Sequence, residues 1–137
     1  MEKRDIDEVS LLEKEIFSQP WNKNDFEESI KSKNNLYLIV ESENEIIGYC
    51  GYRGISGEGY IYNVAIKKDY RGKNIGYKLM SNLIDEGKKN GIKEFILEVR
   101  QSNIVAIRLY EKLGFKIIGV RKDLYIKPIE DAFIMWL

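Results

Sequence analysis

The stretch from Tyr60 to Arg100 constrains the fold more than any other part of the chain. Tyr60-Ile61-Tyr62-Asn63-Val64-Ala65-Ile66 is largely apolar on both faces, as expected of a strand in the middle of a sheet. A glycine-bearing loop follows it. Leu79, Met80, Leu83, Ile84 and Gly87 then fall on one stripe of a long helix, which Gly91 should stop, and Phe95 to Arg100 reads as the next strand. Strand, long helix, strand is a βαβ crossover, so the two strands should lie parallel.

The flanks supply the remaining elements. Asp5 with Glu8 predicts a capping box opening a helix with Val9, Leu12 and Ile16 on its apolar face, ending near Pro20. Asn22 caps a second, short helix with Phe26 and Ile30 one turn apart, and Asn34-Asn35 breaks it. Leu36 to Glu41 and Ile46 to Gly54 read as an antiparallel hairpin around Ser42-Glu43-Asn44-Glu45, and Ser56-Gly57-Glu58-Gly59 is a further turn. Beyond Arg100, Ser102-Asn103 caps a helix with Ala106, Leu109, Tyr110 and Leu113 on one face, which Gly114 ends. Strands around Lys116–Arg121 and Ala132–Trp136 finish a mixed α/β sheet.

At 137 residues the chain fits a single domain, 1–137. Its 44% hydrophobic and 32% charged residues suggest neither disorder nor a membrane span. The 22 basic residues balance 22 acidic ones, which offers nucleic acid no general attraction. There is no histidine, so a Ser-His or Cys-His nucleophile is excluded, and a zinc site would need carboxylates and one thiol. No metal is expected. Any base must be Glu, Asp, Lys, Tyr or Cys. Cys50 is alone, which rules out an intrachain disulfide and a Cys-x-x-Cys redox motif. Met-Glu-Lys-Arg-Asp lacks the apolar core of a signal peptide, so a cytoplasmic protein is expected.

The loop Arg71-Gly72-Lys73-Asn74-Ile75-Gly76 leaves a buried strand and enters a helix. Such a loop can aim backbone N–H groups at an anion, helped by the helix dipole and by Arg71, Lys73 and Lys78. Taken alone, glycines there more often make only the turn. The loop is neither a Walker A loop nor Gly-x-Gly-x-x-Gly.

Order adds to this. Asn63-Val64-Ala65-Ile66, Tyr70 to Gly76, Leu97-Glu98-Val99-Arg100 with Asn103, and Leu109-Tyr110-Glu111-Lys112-Leu113-Gly114-Phe115 together resemble the GNAT acetyltransferases over nearly the whole chain. Leu-Glu-Val-Arg-x-Ser-Asn, Pro20-Trp21 and the tail from Glu130-Asp131-Ala132 to Met135 look like the RimI type, the ribosomal-protein-alanine N-acetyltransferases. The resemblance implies a mostly antiparallel sheet whose parallel pair splays around acetyl-CoA, with helices on both faces. It implies that backbone groups of Val64, Ala65 and Ile66 bond the pantetheine arm, that Arg71, Gly72, Lys73, Asn74, Ile75, Gly76 and Tyr77 surround the pyrophosphate, and that Asn103 contacts the cofactor. Two departures stand out. Asn74 occupies a family glycine position, for which Asn is the best substitute if φ is positive. Only four residues precede Asp5, so the family's first strand is expected to be missing or vestigial.

Glu98 alternates with Phe95, Leu97 and Val99 near the C-terminal end of a parallel strand, where such sheets bind ligands. Without the motif it reads as a strand carboxylate paired with Arg100 or a lysine; the resemblance makes it the catalytic base. An ordinary glutamate of pKa about 4.3 is a weak base, which leaves action through a bound water or a pKa raised by burial. A peptide α-amine, near 7.7 to 8.0, suits a weak base better than lysine near 10.4. On pattern alone Tyr110 is a core aromatic; the resemblance turns it toward the departing sulfur. Cys50 reads as a small buried hydrophobe, which disfavours an acetyl-cysteine route and leaves direct attack in a ternary complex. The resemblance puts Pro20, Trp21 and Tyr125 at the walls of a peptide groove. The acceptor expected is the N-terminus of a ribosomal protein beginning with alanine, with a lysine or small amine as the alternative and a monomer or weak dimer as the form.

Overall fold

The computed structural model describes residues 1–137, except for the side chain of Asn63. A 3₁₀ turn (Lys3–Asp5) leads into α1 (Ile6–Ile16), followed by α2 (Lys23–Ile30), β1 (Asn35–Ser42), β2 (Glu45–Ile55) and β3 (Glu58–Ile66). A second 3₁₀ turn (Lys68–Tyr70), α3 (Ile75–Lys89), β4 (Glu94–Arg100), α4 (Ile104–Lys112), β5 (Lys116–Ile126) and β6 (Ile129–Trp136) complete the chain. The strands form one sheet in the order β1-β2-β3-β4-β6-β5. Every neighbouring pair is antiparallel except β3 and β4, which run parallel as the crossover requires.

Each face of the sheet has its own core. Leu79, Met80, Leu83 and Ile84 of α3 and Ile107 and Tyr110 of α4 pack on Cys50, Tyr52, Ile61, Phe95, Leu97 and Val99. On the opposite face Ile6, Val9 and Leu12 of α1 and Phe26 of α2 cover Ile46, Tyr49 and Ala65. Phe95 is 1% exposed, and a Phe→Ala change at such a site costs about 3–5 kcal/mol. Among the described residues no helix is long and apolar enough to cross a membrane.

The parallel pairing is short, and this shapes the site. It runs from Glu58 opposite Glu94 to Ile61 opposite Leu97 and stops there. β3 continues against β2, with Cys50 opposite Val64, Tyr49 opposite Ala65 and Gly48 opposite Ile66, while β4 continues against β6. The register slips between Gly51 and Tyr52, so Tyr62 is the extra residue of a bulge. A bulge bends its strand and increases the local twist, which turns the end of β3 away from β4.

Some expectations need correction. Asp5 precedes α1 but gives no side-chain cap; its carboxylate accepts the Glu2 N–H (2.7 Å) within the 3₁₀ turn. Glu8 accepts the Ile46 N–H (2.5 Å) at the start of β2, so neither acid is free to close the box. Asn22 does cap α2: its Oδ1 accepts the Asp25 N–H, and Asp25 returns a bond from the Asn22 N–H, both 2.9 Å. The last hairpin is longer than the sequence suggests. β3 is not enclosed throughout either, because Tyr62 is 53% exposed and Val64 and Ile66 are half-buried where β2 is their only neighbouring strand among the described residues. Among the described residues no strand precedes α1, and the Met1 amino group donates to the Tyr37 carbonyl (2.8 Å) of edge strand β1.

Candidate active site

The split between β3 and β4 leaves the β3 backbone from Tyr62 to Ile66 with β2 on one side and no strand on the other. The strand then feeds the loop and the N-terminus of α3. Asn74 is the N-cap and sits at φ 64, ψ 16, the left-handed conformation that asparagine tolerates best after glycine. Gly72 has φ +80, and nothing lies within 4 Å of where a Cβ would stand. A Cβ on Gly76 would lie 3.3 Å from Leu109 Cδ2, so this glycine lets α3 approach α4. The first turn of α3 has no acidic residue, and Arg71, Lys73 and Lys78 are exposed around it. Loop, dipole and side chains together favour an anion here. Arg71 is also structural, since its Nε donates to the Ile66 carbonyl (3.0 Å) and ties the loop to the strand end. Ile75 and Tyr77 are half-buried at the helix start. Asn103 caps α4 through Oδ1, which accepts the Ala106 N–H (3.2 Å).

Phe95, Leu97 and Val99 of β4 point into the α3/α4 core, so Ile96, Glu98 and Arg100 face the α1/α2 side. Glu98 Oε2 is buried, has no hydrogen-bond partner, and lies 3.4 Å from Arg121 Nε of β5. The partner is neither Arg100 nor a lysine. Tyr110 lies in the α3/α4 core on the other face. It is 8% exposed, and burial, reinforced by the charges of Tyr125 and Cys50, pushes its phenol well above the ordinary value near 10. Tyr125 is half-buried and its phenol is also raised, first by burial and then by the Glu98 charge. Glu98, Tyr125 and Tyr110 are therefore electrostatic neighbours although they come from three elements. Burial likewise pushes up the Cys50 thiol, whose Sγ points at the Leu79 carbonyl inside the α3 core.

Two side-chain clusters hold the residues expected at the groove walls. Pro20 is exposed in the α1–α2 connection. Trp21 is half-buried, with its ring 5.3 Å from Phe26 and 6.5 Å from Tyr62, and its backbone N–H donates to buried Glu13 (2.8 Å), which also accepts the Tyr49 hydroxyl. The Arg53 guanidinium lies over both Trp21 (5.1 Å) and Tyr62 (5.5 Å). On the other side Arg100 stacks on Tyr125 (4.3 Å) and donates to the carbonyls of Pro128 (2.9 Å) and Lys127 (3.1 Å) and to Glu130 (3.2 Å). Glu130 in turn accepts the Ser102 N–H (2.6 Å) and hydroxyl (3.0 Å). Tyr62, Arg53 and Arg121 escape sequence reasoning. The Tyr60-Ile61-Tyr62 alternation could have drawn attention to Tyr62; nothing local marks the two arginines. Among the described residues no three Cys, Asp or Glu side chains converge as metal ligands.

An acetyltransferase (GNAT) family model matches residues 6–115. The chain belongs to the GNAT acetyltransferase family. It is therefore an acetyl-CoA-dependent acyltransferase. This GNAT chain is 31% identical over 139 residues to the ribosomal protein bS18-alanine N-acetyltransferase of Escherichia coli (strain K12), covering 100% of this chain and 93% of that one. A Bacillus subtilis (strain 168) protein, provisionally named for the same reaction, is 37% identical over 138 residues, with 100% and 91% covered. The crystal structure of the ribosomal-protein-S18-alanine N-acetyltransferase from Escherichia coli superposes with a TM-score of 0.91 at 30% identity, covering 100% of this chain and 89% of that one. The GNAT model stops at Phe115, whereas these relatives align across the whole chain, β5–β6 hairpin included.

Proposed function

We propose that this enzyme acetylates the N-terminal α-amine of a protein, foremost a ribosomal protein beginning with alanine, acting as one domain in the cytoplasm. The observation that carries this reading is the full-length likeness to bS18-alanine N-acetyltransferases, which extends through the hairpin holding Tyr125. Acetyl-CoA is the second substrate. The open edge of β3 at Val64, Ala65 and Ile66 suits the amide groups of its pantetheine arm, which can pair like an added strand. The loop from Arg71 to Tyr77 suits its pyrophosphate. Asn103 commits Oδ1 to α4 and keeps an amide nitrogen for the cofactor.

With both substrates bound, the amine nitrogen attacks the thioester carbon directly. A C–N bond forms, the C–S bond breaks, and the amine's proton leaves toward Glu98, through water or directly. A backbone N–H of the Val64–Ile66 edge supports the carbonyl oxygen. Tyr110 donates a hydrogen bond to the departing sulfur. Its raised pKa makes full proton transfer still more uphill, which favours donation over protonation. Cys50, buried and held as the thiol, takes no acetyl group. Pro20 and Trp21 on one side and Tyr125 on the other form the groove for the peptide.

The test is acetyl-CoA consumption with paired peptides, free or blocked at the N-terminus, followed by mapping of the modified nitrogen. Turnover should require the free α-amine. Equal turnover of a blocked, lysine-containing peptide would transfer the assignment to lysine or small-amine acetylation.

A further inference from the structure

We infer that Arg121 is a specificity-determining residue, whose guanidinium holds the counter-ion position of Glu98 and so admits the acceptor as a neutral amine rather than as an ammonium. The inference rests on the reading that Glu98 faces the acceptor nitrogen.

Among the described residues Arg121 is the basic side chain within ion-pair reach of Glu98, its Nε 3.4 Å from Oε2. That is longer than the 2.7–2.9 Å of a good charge-assisted bond, and Oε2 accepts no hydrogen bond although it is buried. The carboxylate thus has a neighbouring positive charge but unused accepting capacity. Arg100, the other guanidinium on this side, is committed to Glu130 and to the carbonyls of Lys127 and Pro128, so it cannot stand in.

The backbone holds Arg121 in place. It pairs with Ala132, which pairs on its other side with Arg100, at the last regular position before the β5 register breaks between Arg121 and Tyr125. The displaced segment is fastened where the Asp123 N–H donates to Asp131 Oδ1 (2.9 Å). The Arg121 side chain itself is 57% exposed, with room to move aside. It also lies beyond the segment matched by the GNAT model and inside the hairpin shared with the N-terminal acetyltransferases.

A second cation approaching Glu98 meets a charge already compensated and is repelled by the guanidinium; a neutral amine can donate to the carboxylate, whose side chain is 27% exposed, without that cost. At pH 7.4 an α-amine of pKa about 7.7–8.0 is neutral in about a quarter of molecules, and a lysine near 10.4 in about one in a thousand. Admitting only the neutral form therefore favours an α-amine by a few hundredfold before any shape contact counts.

The test uses the full chain as wild type, Arg121→Gln, Arg121→Lys and Glu98→Gln. The substrates are a lysine-free peptide with a free N-terminus and the same peptide N-blocked and carrying one lysine. Their ratio of kcat/KM is measured within each variant, so a change in the amount of folded enzyme cancels. Arg121→Gln should lower the ratio by about tenfold or more, chiefly through a lower KM for the lysine peptide, while Arg121→Lys should stay within about threefold of wild type. The inference is overturned by an unchanged ratio in Arg121→Gln when Glu98→Gln abolishes turnover. Wild-type turnover in Glu98→Gln would instead defeat the reading of Glu98, and the role of Arg121 with it.

Discussion

Single residues here have surroundings that their neighbours in sequence do not reveal. Tyr110 has the spacing of a core aromatic and is buried like one, yet its hydroxyl shares an electrostatic neighbourhood with Tyr125, which in turn feels Glu98. Tyr110→Phe keeps the packing and removes the donor. Single-turnover quench experiments should show the chemical step slowed by about ten- to a hundredfold with KM for acetyl-CoA within about twofold. Asn74 was legible as a substitute for glycine because only a few residue types tolerate positive φ, and the loop does place it at φ 64. Asn74→Gly should accordingly change acetyl-CoA affinity by less than tenfold in calorimetry; a larger gain would show that the asparagine obstructs the site.

At the level of elements, the decisive feature is the end of β4. Glu98, Arg100, Ser102 and Asn103 follow one another closely, and they serve different partners: Arg121, the β5–β6 hairpin, Glu130 and α4. Arg100 fastens the hairpin by a planar fork that reaches two carbonyls and a carboxylate while stacking on Tyr125, a geometry an ammonium cannot reproduce. Arg100→Lys should therefore loosen the acceptor wall, raising KM for the peptide by about three- to tenfold and leaving KM for acetyl-CoA within about twofold. An equal rise in both would place the pair in cofactor binding instead. Of these partners only α4, capped by Asn103, is visible along the chain. The Leu97-Glu98-Val99-Arg100 run shows which residues share a face, but the choice of Arg121 over Arg100 for Glu98 depends on strands that meet only in the sheet.

For the whole molecule, the α3/α4 core places a thiol and a phenol where ionisation is resisted. The Cys50 and Tyr110 pKa values are both raised by burial above ordinary values of 9.0 and 10.0. Below those values both groups are protonated in the folded and unfolded chains, and the stabilisation is fully present. Above them the unfolded chain ionises first, so stability falls as pH rises through 9 to 10 and beyond. Thermal melts should show a declining Tm in that range, less steeply in Cys50→Ala after allowance for its lower baseline. At pH 8 a thiol reagent should label Cys50 only as fast as the α3 face opens, with the logarithm of the rate rising linearly with added denaturant.

The sequence by itself determined the crossover, the helices and hairpins that surround it, the single buried thiol, the exclusion of histidine chemistry and the tolerance of Asn74 for its loop. These follow from local periodicity and from the conformational limits of single residues, which act within a few positions along the chain. Only the tertiary structure decided that β3 parts from β4 at Ile61, that Tyr62 bulges toward Trp21, that Asp5 and Glu8 serve other partners than a cap, and that Arg121 faces Glu98. Register, bulges and ion pairs join residues far apart in sequence, and their energies are realised only once the strands have been brought together.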